Sequence, residues 1–342
     1  MAQKTDSGNE GNSAAEVTED GVDRRGFLKC MLWAGAGVVW TVQGGILSSS
    51  RLGAAYAYSD KPRSASDLHF VQISDSHIGF KKPANTDVTG TLIETVARIN
   101  ALPHAPEFFI HTGDISHLAK PDQFDTATEI LKGVKAPGFY VPGEHDVEAD
   151  TGNPYQDRHG KGTLGDGWYS FDQKGVHFVG LVNVVNFKAG GLGALGQPQI
   201  DWLKQDLRGL TSSTPLVVFA HIPLWTVYPD WGWGTADSEQ ALSLMRRFGS
   251  VTVLNGHIHQ ALQKIEGNIT FHTATSTAFP QPAPGKAAGP GPLVVPADRL
   301  KSLLGLTQVT YVENRGTLAL VDQRLGAAPP TVAETPKTTS AE

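Results

Sequence analysis

The stretch Leu68-His69-Phe70-Val71-Gln72-Ile73-Ser74-Asp75-Ser76-His77 decides how the chain is read. Residues 68–74 form a short run dominated by apolar, β-branched and aromatic side chains, too short for a helix and suited to a buried strand. The run ends on a carboxylate and an imidazole. Working outward, the same pattern recurs. An apolar run at 107–112 ends at Gly113-Asp114, and one at 138–141 ends at Pro142-Gly143-Glu144-His145-Asp146. Residues 216–220 lead into His221, and residues 251–254 into Gly256-His257-Ile258-His259. Helical spacing lies between them at 91–100, 123–132, 197–210 and 238–248, with a hairpin at 167–171 and 176–182. Further strands are expected at 262–266, 269–273, 308–312 and 318–321. Such alternation predicts an α/β domain. In open α/β sheets the strand C-termini border the ligand crevice, so polar clusters placed there can converge.

The bulk numbers restrict the partners. The chain has 342 residues, 40% hydrophobic, with a formal charge of -6. This is too apolar for a disordered chain, and no Lys/Arg run has the density of a nucleic-acid groove, so no nucleic-acid binding is expected. Residues 279–296 form a Pro/Gly-rich loop, and 329–342 read as a polar tail. Cys30 is the single cysteine.

The N-terminus reads as an address. Residues 1–22 are polar; then Asp23-Arg24-Arg25-Gly26-Phe27-Leu28-Lys29 precedes a moderately apolar, Gly-rich stretch at 31–47 and Ala55-Tyr56-Ala57. The paired arginines and the small-x-small site resemble a twin-arginine export signal cleaved after Ala57. That resemblance implies the twin-arginine export machinery as a partner, passage in the folded state and a periplasmic or secreted destination. Gln43, the glycines and the cleavage site argue against a membrane anchor, so none is expected after processing. Cleavage removes Cys30, leaving His and carboxylates as the metal ligands available. The expected division is a signal peptide at 1–57, one domain at 58–325 and a disordered tail at 326–342.

Each polar cluster alone is a weak signal, since strand-end Asp and His residues commonly cap turns. Taken together, the ordered set Asp-x-His, Gly-Asp, Gly-x-His-Asp, His, Gly-His-x-His resembles the calcineurin-like metallophosphoesterases over residues 68–277. The resemblance implies an α/β fold, a four-layer α/β/β/α sandwich of two mixed sheets. It implies two metal ions, one held by Asp75, His77, Asp114 and His259, the other by Asp114, Glu144, His221 and His257. Metals about 3.5–4 Å apart clamp a phosphoryl group and hold a bridging hydroxide that attacks in line. The reaction implied is hydrolysis of a small phosphodiester or phosphomonoester. The Asp-x-His opening is closer to the phosphodiesterase branch than to the purple acid phosphatases. By the same resemblance His145 faces the phosphoryl oxygens or the leaving group as an imidazolium, with Asp146 orienting it. The competing reading is a metal-binding or interaction module of the same fold with little turnover.

Two departures stand out. Glu144 replaces the family's usual Asn, so the ligands carry three negative charges where two are usual. This predicts a centre biased toward iron, with iron, manganese or zinc as second metal. The alternative is a second site that Glu144 disables. His117 stands three residues after Asp114, where purple acid phosphatases carry a ligating Tyr; a role behind the ligands or toward substrate is expected ahead of ligation, and an ordinary loop histidine ahead of both. His111 reads as a core residue, and His69, His104, His159, His177 and His272 as structural. Lys188 and the aromatic set Trp225, Tyr228, Trp231 and Trp233 are candidate rim residues, with packing over the second sheet the expected role of the aromatics.

Overall fold

The computed structural model describes residues 37–43, 46–52, 67–147, 153–185, 190–312 and 318–326. Strands β1 (Gly37–Gln43) and β2 (Ile46–Leu52) form a two-stranded sheet. The paired arginines, Cys30 and the Ala55-Tyr56-Ala57 site lie outside the described residues. Among the described residues no helix is long and apolar enough to cross a membrane.

The first half of the domain runs β3 (Leu68–Ile73), α1 (Val88–Asn100), β4 (Phe108–His111), α2 (Pro121–Leu131), β5 (Gly138–Tyr140), α3 (Glu144–Val147) and α4 (Pro154–His159). The second runs β6 (Tyr169–Gln173), β7 (Val176–Gly180), α5 (Gln197–Asp206), β8 (Leu216–Phe219), α6 (Ser238–Met245) and β9 (Val251–Asn255). It closes with β10 (Leu262–Glu266), β11 (Ile269–Thr273), α7 (Ala297–Leu300), β12 (Gly305–Tyr311) and β13 (Leu318–Arg324). One sheet has the order β13-β12-β3-β4-β5, the other β10-β11-β9-β8-β7-β6. In the first, β3, β4 and β5 are parallel while β12 and β13 are antiparallel additions. In the second, β7, β8, β9 and β11 are parallel, with β6 and β10 antiparallel at the edges.

Side-chain alternation explains the layering. In β3, Leu68 and Phe70 face a core that includes Phe178, Phe219 and Leu254 of the other sheet. The intervening positions Val71 and Ile73 face Leu92, Val96 and Phe124 of α1 and α2. β8 divides the same way: Val217 and Phe219 point between the sheets, while Leu216 and Val218 meet Leu203 and Met245 of α5 and α6. Strands apolar on both faces must be covered on both, and the result is the four-layer α/β/β/α sandwich of two mixed sheets. The expected strands and helices are present with shifted ends. The helix expected over 197–210 stops at Asp206 and tightens into a 3₁₀ turn at Leu207–Gly209. The helix α4 was not expected; Asn153 caps it, accepting from Gln156 N, and Pro154 opens it.

Candidate metal centre

The polar clusters lie in the loops that leave β3, β4, β5, β8 and β9 at their C-terminal ends. Main-chain bonds tie these loops together: Asp75 N to Gly113 O at 3.0 Å, His77 N to Asp114 O at 2.9 Å and Gly256 N to His221 O at 2.9 Å. Among the described residues, seven non-glycine residues have positive φ, and five of them are Asp75, His77, Asp114, His257 and His259. Left-handed backbone is costly for residues with a Cβ and persists where surrounding structure enforces it, typically at functional sites. Gly143 is required here because a Cβ on it would lie 2.0 Å from Asp114 Oδ1.

The seven expected ligands are brought together. Donor atoms of Asp75, His77 and His259 lie within 4.8 Å of one another, and so do those of Glu144, His221 and His257. Asp114 joins the two groups: its Oδ2 is 3.4 Å from His77 Nε2 and 3.4 Å from His221 Nε2. On one side His259 Nε2 is 3.2 Å from His77 Nε2 and 3.3 Å from Asp75 Oδ1. On the other, Glu144 reaches His221 Nε2 at 2.8 Å and His257 Nδ1 at 2.9 Å.

The supports behind these ligands were not visible in the sequence. His221 Nδ1 donates to Thr112 O at 2.7 Å and His259 Nδ1 to Phe279 O at 2.6 Å, so each ring turns its Nε2 toward the cluster. Asn183 and Asn255 both donate to Ile222 O, next to His221, at 2.7 and 3.1 Å. The Phe279 ring stacks on His77 (centroids 4.8 Å apart) and lies 4.7 Å from His259. An Asn at each strand end was the available signal for the first pair. Phe279, inside a Pro/Gly-rich loop, offered none.

His145 is half-buried at the edge of the cluster. Its amide donates to Asp114 Oδ1 at 3.0 Å. Asp146 is not the partner that orients it. Both Asp146 oxygens accept backbone amides, from Gly143 and Ile115 at 3.0 Å and from Ser116 at 2.8 Å, with the Ser116 hydroxyl at 2.9 Å. Asp146 therefore clamps the Asp114 loop to the Glu144 loop, because its position in the first turn of α3 aims it at those amides rather than at the ring. The His145 ring is held instead by its Nδ1, 2.9 Å from His117 O.

The electrostatics match a cation site. Burial alone pushes the Glu144 carboxyl up, but the imidazoles of His257 and His221 outweigh it and hold the pKa well below the usual carboxylate range. Burial opposes charge on His221, yet the Asp114 and Glu144 carboxylates hold its pKa well above the ordinary value. Asp75 Oδ2 is buried without a hydrogen-bond partner, and Glu144 Oε2 and His221 Nε2 are buried facing one another at 2.8 Å. Buried lone pairs turned toward one another in this way are costly unless a cation takes them up, so these residues fit two metal ions.

Outside the centre, His111 is a core residue, buried and 2.8 Å from Ser76 Oγ, and burial lowers its pKa to about 3. Trp231 and Trp233 are buried against Ile258 and Leu262, a packing role. Lys188 lies outside the described residues.

Comparison with known proteins agrees. The profile of the calcineurin-like phosphoesterases matches residues 68–261, and the chain belongs to that family. It is therefore a metal-dependent phosphoester hydrolase of a fold class whose centres are binuclear. Among its relatives is a bovine (Bos taurus) serine/threonine-protein phosphatase, 33% identical over 39% of this chain but only 45% of its own length. A 3',5'-cyclic-nucleotide phosphodiesterase of Nostoc sp. is 22% identical over 62% of this chain and 79% of its own. A dimetal phosphatase from Danio rerio shares the fold, with TM-score 0.55 and 15% identity over 75% of this chain and 98% of that one.

Proposed function

We propose that this chain is an exported hydrolase acting at a binuclear centre on a small phosphodiester or phosphomonoester. The observation that carries the reading is Asp114 Oδ2, equidistant from His77 and His221 between two three-residue donor groups. One carboxylate shared by two ligand sets is what a bridged pair of cations requires. Bound there, the cations supply Lewis-acid polarisation of the phosphoryl oxygens and activation of a water as nucleophile. The protein's own part is to position and to move a proton. The seven residues would hold the two cations at the strand ends, and the His145 ring, anchored by its Nδ1 on His117 O, would turn its far side toward the departing oxygen.

The metal reading follows from charge. Asp75, Asp114 and Glu144 bring three negative charges against four positive for two divalent ions, where an Asn at 144 would leave two. The carboxylate at Glu144 lies in the second donor group, between His221 and His257, which supports it as a ligand. The added charge favours an ion of higher charge, so iron occupies at least one site, with iron, manganese or zinc in the other. Export by the twin-arginine route, cleavage after Ala57 and a periplasmic or secreted mature protein complete the proposal; folded passage suits a centre loaded in the cytoplasm.

The test is hydrolysis of bis- and mono-p-nitrophenyl phosphate by full-length protein loaded with iron, manganese or zinc, alongside metal analysis. Release of nitrophenol with at least one metal is expected. Full occupancy with no release from either ester would favour a metal-binding module of the same fold. N-terminal sequencing of the exported product should begin at Tyr58; product that still carries Arg24 and Arg25 would end the export reading.

A further inference from the structure

His117 touches the centre from behind. Its Nδ1 lies 3.3 Å from His77 Nδ1, its carbonyl oxygen is 2.9 Å from His145 Nδ1, and its ring stacks on that of His145 with centroids 4.9 Å apart at 24°. The loop carrying it is fixed: His117 N donates to Ile78 O at 3.0 Å, and Gln123 Oε1 accepts from His117 N at 3.2 Å and from Leu118 N at 2.8 Å. His77 turns its Nε2 toward Asp114 and His259, so His117 meets the opposite edge of that ring. A residue on that edge addresses the ligand and not the ion.

From this geometry we infer that His117 is a positioning residue, which sets the tautomer of His77 and aligns the ring of His145. The inference rests on reading the cluster as a metal centre. To ligate through Nε2, neutral His77 must carry its proton on Nδ1. That N–H donates to His117 Nδ1, which is then the bare acceptor nitrogen, with the His117 proton on Nε2. Outer partners of this kind fix both the protonated nitrogen and the angle of a metal-binding imidazole, and losing one typically weakens metal binding or activity about 10–100-fold. Phe279 stacks on the His77 face and restrains its tilt, but a phenyl ring accepts no hydrogen bond in the ring plane. The same His117 residue, through its carbonyl, holds the proton-bearing nitrogen of His145. One loop position thus aligns a ligand of the first donor group with the ring that faces the substrate.

Two variants separate this role from simple packing. His117→Asn places an amide oxygen where Nδ1 was, while His117→Phe keeps a ring to stack on His145 and removes the acceptor; both keep the carbonyl. Metal-stripped full-length protein is titrated with manganese(II) against a fluorescent chelator, and kcat and KM are measured on bis-p-nitrophenyl phosphate. His117→Phe is expected to weaken one of two manganese ions about 10–100-fold and to lower kcat with KM within about twofold, while His117→Asn stays within about threefold of wild type in affinity. Wild-type affinity in the Phe variant, or equal loss in the Asn and Phe variants, would overturn the assignment. Wild-type protein that binds manganese but releases no nitrophenol would instead sink the proposed function, and the affinity comparison would still decide the role of His117.

Discussion

At position 145 the side chain and the main chain do different work. The amide of His145 holds Asp114 Oδ1 at 3.0 Å, and an alanine at this position keeps that bond. His145→Ala should therefore retain full metal content by atomic absorption while kcat falls about 10²–10⁴-fold, the usual worth of a positioned proton donor. Undiminished turnover would remove the ring from the reaction. At Glu144 the expectation concerns metal choice: Glu144→Asn, purified from the cytoplasm, should hold a lower ratio of iron to zinc than wild type, read by mass spectrometry of the metals. An unchanged ratio would detach iron preference from the carboxylate. The seven candidate ligands were legible because each sits in a short motif behind a strand. The left-handed backbone of five of them was not, since φ is imposed by the loops that meet there. Asp146 was misread for a related reason: adjacency in sequence suggested an ionic partner for His145, whereas the first turn of α3 turns the carboxylate toward three amides.

Between strand and loop, the controlling feature is how closely the β9 exit passes the β3 exit. A Cβ on Gly256 would stand 2.0 Å from Ser74 Oγ and 2.7 Å from Asp75 Oδ2. Gly256→Ala should force these loops apart, lowering stability by about 1–3 kcal/mol in urea unfolding and displacing Asp75 enough to lose bound metal. Full stoichiometry with unchanged unfolding would show that the loops yield freely. Apolar runs located nearly every strand, because strands covered on both faces read as continuous hydrophobic segments. β12 began earlier than expected, at Gly305 rather than Gln308, because Thr307 interrupts its apolar pattern. That residue faces the other sheet and donates to Asp322 at 2.7 Å, a partner no local window could reveal.

Across the whole domain, the layering depends on contacts between distant segments; family resemblance supplied the four layers and the two mixed sheets, while the order of strands within them could not be read from periodicity. One such contact is a polar link between the sheets. His272 in β11 and Asp322 in β13 meet at 3.0 Å, on the faces that enclose the shared core. Burial alone would raise the Asp322 pKa, but attraction to the His272 imidazole outweighs it and brings it to about 2 from 3.8. A carboxylate depressed in the folded state binds its proton more tightly when unfolded. Its contribution, on the order of 2 kcal/mol, is therefore complete above pH 3.8 and is lost as the pH falls through about 2. Asp322→Asn removes the charge but keeps a group able to bond to Thr307. Wild type should then exceed the variant in stability at about pH 5, and the margin should shrink steadily from there toward pH 2 in denaturant titrations. A margin unchanged down to pH 2 would mean that the two sheets are held together here by packing and neutral hydrogen bonds, with the ion pair contributing nothing of its own.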